Sequence, residues 1–77
     1  MSNDQRIIDA LNEAGIDYEI GGYDASKSFR DNGIDSLDVM SLFLAIEEKY
    51  GVKFSEEEAN SIKSPIGISV ALDRKLQ

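Results

Sequence analysis

The sequence predicts an all-α chain of four helices, three long and one short, with a long connection between the first two. Three observations carry that expectation. Apolar residues recur at helical spacing in separate stretches, and helix-start and helix-stop residues bracket those stretches. The one stretch with strand character, residues 16–20, has no second strand to pair with. At 77 residues the chain is expected to form one domain over 1–77, with a modest core. No repeat, low-complexity tract or linker divides it.

Ser2 with Gln5 fits a reciprocal helix-start box, and Ile7, Ile8, Leu11 and Ala14 follow on one helical face. Gly15 is a natural stop, so the first helix is predicted over 3–14. Asp4, Arg6, Asp9, Asn12 and Glu13 fall on its solvent side. Residues 16–34 read as a connection pinned to the core by Tyr18, Ile20, Tyr23 and Phe29, with a short helical turn near 25–30. Gly21, Gly22 and Asp24 break any regular period there. An irregular connection of that length is uncommon unless it serves function.

Asp35 is a good N-cap, so the second helix is predicted over 36–50 and closed by Gly51. Leu37, Val39, Met40, Leu42, Phe43, Leu44, Ile46 and Tyr50 make it apolar on most of its circumference, as expected of a central helix. The row Leu37, Met40, Leu44 starts beside Ser36 and need not be buried. After an extended link at 52–54, Ser55 with Glu58 forms another capping box and opens a short helix to about residue 62. Ser64 and Pro65 are the N-cap and first position of a last helix, with Ile66, Ile68, Val70, Leu72 and Leu76 expected inward.

Composition narrows the chemistry. The chain has no His and no Cys, which removes the usual general base, the thiolate nucleophile, disulfides and the commonest metal ligands. Fifteen acidic against eight basic residues give a net charge of −7, which argues against nucleic acid and for basic patches on protein partners. The N-terminus lacks a cationic segment followed by an apolar one, and the longest apolar run, 42–46, is far too short to span a bilayer. A cytoplasmic monomer without membrane insertion is expected. Asp31, Asp35 and Asp38 suggest a Ca²⁺ loop, but either register leaves Leu42 or Val39 where a bidentate Glu is needed. No metal site is assigned.

The remaining candidate is Ser36 itself. As first residue of the second helix it places its hydroxyl at the positive end of the helix dipole, where an attached phosphate is electrostatically favoured. Nothing near it in sequence could activate it, and G-x-S-x-G is absent, so another enzyme must act on it.

Asp35-Ser36-Leu37, preceded by Gly33 and followed by Asp38, resembles the D-S-L motif of acyl carrier proteins. The similarity extends over nearly the whole chain, through Phe29-Arg30-Asp31, the 46–52 stretch Ile-Glu-Glu-Lys-Tyr-Gly-Val, and the 62–67 stretch Ile-Lys-Ser-Pro-Ile-Gly. The resemblance implies a four-helix acyl-carrier-like bundle with no catalysis of its own. It implies 4′-phosphopantetheine joined to Ser36 by a phosphopantetheinyl transferase that uses coenzyme A and Mg²⁺. The arm's thiol would carry acyl groups as thioesters for fatty-acid-like, polyketide or specialised lipid synthesis.

By the same resemblance Asp35, Leu37, Asp38, Met40, Leu44, Glu47 and Glu48 match positions that contact the transferase and the basic docking patches of acyl-transfer and synthase enzymes. Phe29, Leu42, Ile46, Phe54 and Ile62 are the candidate lining of an acyl pocket. The chain departs from the fatty-acid carriers at Asn32, where they have an apolar residue, at Ser41, where they often have Glu, and at the bulky Phe43. These departures point to a specialised pathway. The alternatives are a peptidyl or aminoacyl carrier, D-alanyl carriers included, and an interaction module that keeps the fold and is never loaded.

Overall fold

A computed structural model describes residues 4–18 and 20–77. Four α-helices follow in the expected order, α1 (Gln5–Glu13), α2 (Ser36–Tyr50), α3 (Glu56–Ser61) and α4 (Pro65–Lys75), with no strand among the described residues. α1 packs against both α2 and α4. Ile7, Ala10 and Leu11 of α1 meet Leu42, Phe43 and Ile46 of α2 and Ile68 and Leu72 of α4, and Ile16, Phe29 and Ile34 of the long connection close the core.

Each helix start can be traced to one or two side chains. Asp4 caps α1 by accepting the Arg6 N–H at 2.9 Å, so the helix opens at Gln5; Ser2 and Asn3 of the expected start lie outside the described residues. Asp35 caps α2, and Gly51, at φ 68°, ends it. Ser55 and Glu58 complete the capping box of α3 reciprocally. Ser64 and Pro65 begin α4 as expected, although the Ser64 side chain makes no capping hydrogen bond.

Three expectations are corrected. Arg6 does not lie free on the solvent side of α1: its guanidinium grips Asp4 at 2.6 Å and Asp73 of α4 at 2.7 Å, tying the two helices together. On α4 the buried residues are Pro65, Ile68 and Leu72, whereas Ile66, Val70 and Leu76 are exposed. Positions 65, 68 and 72 share one helical face; 66 and 70 are rotated off it by about one residue's turn, and there is no further layer to cover them. In the connection, helical turns form at Ile20–Gly22 and Arg30–Asn32 rather than at 25–30.

The second turn is held by a residue that hydropathy alone would place outside. Asn32 is fully buried. Its Oδ1 accepts the Asp24 N–H at 2.9 Å, and its Nδ2 donates to the carbonyls of Asp24, Lys27 and Ser28 at 2.9, 3.3 and 3.1 Å. The connection thus folds around an amide that satisfies backbone groups a loop would otherwise bury unpaired. Two backbone hydrogen bonds then fasten it to the α3–α4 junction, Phe29 N–H to Lys63 O and Ile66 N–H to Ala25 O, both at 2.9 Å. Gly67 lets that junction close: a Cβ there would lie 2.9 Å from Ile62 Cγ2.

Candidate functional site

Ser36 is placed by the three residues before it. Gly33 takes the left-handed conformation, φ 77°, that reverses the chain after the Arg30–Asn32 turn at little steric cost. Ile34 donates its N–H to Phe29 O at 2.9 Å and buries its side chain, anchoring the strip that leads to the helix. Asp35 is extended, and its carboxylate accepts the Asp38 N–H at 2.8 Å. Ser36 follows as the exposed first residue of α2, at the end of a 15-residue helix whose first-turn N–H groups point outward. Its hydroxyl has no hydrogen-bond partner among the described residues, so none of them activates it.

Beside Ser36 lies an open groove of about 720 Å³ between the connection, α2 and α3. Its floor is the buried Phe29, Ile34 and Phe43; Val39, Ala59 and Ile62 are half-buried walls. Arg30, Asp35, Ser36, Met40, Asn60 and Lys63 form an exposed rim. Two of the eight cations of an otherwise acidic chain therefore stand at this rim. The arrangement suits a group fixed to Ser36 whose first atoms are anionic and whose far end is apolar.

The expected pocket residues divide. Phe29 and Ile62 line the groove. Leu42 and Ile46 do not: both are fully buried between α1, α2 and α4. Phe54 does not either, because it stands behind Phe43, ring centroids 4.9 Å apart in an edge-on contact. Ile34, Val39, Phe43 and Ala59 were the lining residues that sequence reasoning missed. A signal existed for two of them, since Val39 and Phe43 follow Ser36 by three and seven residues and so share its helical face.

The residues matched to partner contacts also separate. Leu37, Met40 and Leu44 are 74%, 64% and 59% exposed, an apolar row left open along α2 from Ser36. Glu48 is exposed beside it, and Asp38 is half-buried in the first turn. Glu47 is different: it is half-buried, and its Oε2 accepts the Phe54 N–H at 2.8 Å, bracing the link between α2 and α3. Among the described residues no group of three or more acidic side chains is gathered as a metal site.

Comparison with known proteins bears on the same region. A family model described as a phosphopantetheine attachment site matches residues 5–69. The chain is 40% identical over 60 residues to an acyl carrier protein of Syntrophobacter fumaroxidans, covering 77% of this chain and 73% of that relative. It is 52% identical over 33 residues to an acyl carrier protein of Helicobacter pylori, a match covering 43% of this chain and 42% of the relative. A third similarity, 38% over 50 residues, is to the anthracycline acyl carrier protein DauA of a Streptomyces species, covering 65% of this chain and 60% of that one.

Proposed function

The chain belongs to the acyl carrier protein family and is a phosphopantetheine-bearing acyl carrier, and from that premise we propose that Ser36 is the residue to which the arm is joined. The observation that carries the assignment is the exposed Ser36 hydroxyl at the start of α2, on the rim of the apolar groove.

The chemistry follows from that placement. An unactivated hydroxyl needs a transferase to supply the base and the Mg²⁺. The Ser36 Oγ then attacks the coenzyme A phosphorus nearest the pantetheine. The Oγ proton passes to the transferase base, the pyrophosphate P–O bond breaks, and adenosine 3′,5′-bisphosphate leaves. The phosphodiester formed sits at the N-terminus of α2, where the helix dipole favours its charge. When bound, the arm supplies the thiol this Cys-free chain lacks, and carries acyl groups as thioesters. The groove walls shelter an apolar cargo from water, while the row Leu37, Met40, Leu44 stays open for partner enzymes.

The chain itself does no chemistry on the cargo; synthase and acyl-transfer enzymes do. Similarity to an anthracycline carrier, together with Asn32, Ser41 and Phe43, supports a polyketide or other specialised pathway over bulk fatty-acid synthesis. No helix among the described residues is long and apolar enough to cross a membrane, in keeping with work in the cytoplasm.

Intact mass tests the assignment, read before and after incubation with coenzyme A, Mg²⁺ and a broad-specificity phosphopantetheinyl transferase. One phosphopantetheine adds to the wild-type chain and none to Ser36→Ala, whose helical circular dichroism is unchanged. Loading of Ser36→Ala would move the attachment point elsewhere. A folded wild-type chain that takes no arm from several transferases would favour the unloaded interaction module.

A further inference from the structure

Phe43 is one of the three buried side chains that floor the groove beside Ser36, and we infer that it fixes how long an acyl chain the carrier can shelter. This rests on Ser36 bearing the arm and adds the residue that sets the cargo limit. Phe43 is 6% exposed and forms part of the groove floor. Behind it lies Phe54, edge-on with ring centroids 4.9 Å apart and an interplanar angle of 70°.

Phe54 is itself held by two contacts. Its N–H donates to Glu47 Oε2 at 2.8 Å, and the Lys75 ammonium stands 5.1 Å from its ring centroid. Lys75 is paired in turn with Glu58 of α3 at 3.0 Å. To let cargo pass, Phe43 would have to displace a ring that Lys75 of α4 covers, on a residue whose backbone Glu47 of α2 holds. The fully buried Leu42 and Ile46 beyond it touch no part of the groove. Cargo therefore lies between α2 and α3 over Phe43, and does not enter the packing shared by α1, α2 and α4. A bulky side chain, rather than backbone, makes the barrier, so substitution can move it.

The opposite wall offers an independent handle. Ala59 of α3 is half-buried, lines the same groove and is not among the buried core residues. Phe43→Leu should open the floor and Ala59→Leu should narrow the groove from the other side.

The experiment loads the wild type, Phe43→Leu, Phe43→Ala and Ala59→Leu with straight acyl chains from acetyl to dodecanoyl, using acyl coenzyme A and the transferase. Intact mass verifies each loading, and the thermal midpoint is then read against chain length. In the wild type the midpoint should rise by roughly 3–6 °C per sheltered methylene and then stop rising. The stop should come at longer chains in the Phe43 variants and at shorter chains in Ala59→Leu. Phe43→Leu and Ala59→Leu keep the test decisive if Phe43→Ala does not fold. Loaded proteins that all stop at the same length, or show no rise, would overturn the role of Phe43 alone. A wild-type chain that never gains mass would overturn the attachment at Ser36 and this inference with it.

Discussion

Asn32 shows how one polar residue can organise a long loop. Its amide serves four backbone groups across residues 24–28, and no apolar side chain of similar size could do so. Asn32→Leu should therefore destabilise the chain despite matching the apolar residue of the fatty-acid carriers. Stranding those groups costs about 1–3 kcal/mol, a fall of at least about 4 °C in midpoint, with faster amide exchange at Asp24. An unchanged midpoint would mean the loop repacks without the amide. Asp4 supplies a second test. The Arg6 guanidinium holds its carboxyl below the ordinary 3.8, against the opposing effect of partial burial. A depressed carboxyl stabilises the folded chain above its unfolded value, and that contribution is lost as pH falls through the folded value. Asp4→Asn keeps a capping oxygen while removing the charge. Its midpoint should lie below the wild type at pH 6, and the gap should close below about pH 4. A gap that stays constant into acid would show that the charge is not what matters.

Among the elements, α3 is the weakest and the most consequential for the groove. It has six residues and none of them is buried, so its capping box and the Glu58–Lys75 pair carry much of its stability. Ser55→Ala removes one half of that box and should cost about 1 kcal/mol. The loss should be local: amide exchange should quicken at Ile62, whose N–H bonds Glu58 O, more than in α2. Equal acceleration in both helices would mean that α3 unfolds only with the whole molecule. α2 shows the opposite case, with three buried residues, an aspartate cap and a glycine stop. Packing on both α1 and the connection lets it keep one apolar row in water.

Over the whole molecule, the proposed function divides recognition between a net charge of −7 and an open apolar row. On that proposal, charge would speed the approach of a basic partner and the row would supply contact area once it has docked. Glu48→Lys should lower kcat/KM for transferase loading at low salt, with the defect fading as ionic strength rises. Glu47→Lys should behave differently, lowering the thermal midpoint because Phe54 loses the acceptor for its N–H. If the two variants matched in both salt dependence and midpoint, the division between an exposed and a bracing glutamate would fail.

The sequence by itself determined the order of the four helices, the Asp35 and Ser55 caps, the Gly51 stop and the Pro65 start, because these are contacts between residues a few positions apart. It also placed Ser36 at a helix start, and its resemblance to a known motif pointed to the group proposed to be joined there. Only the tertiary structure decided which apolar residues face the groove and which the core. Leu42 and Phe43 are neighbours on an almost wholly apolar helix, so hydropathy could not separate them, and only the register from Ser36 hinted at Phe43; packing of α1 over Leu42 and the open groove over Phe43 decided it. Burial of Asn32, exposure of Ile66 and Val70, and the turn of Glu47 toward Phe54 had the same origin. Each depends on partners distant in sequence or on a face that nothing covers, and a local pattern of polarity carries neither.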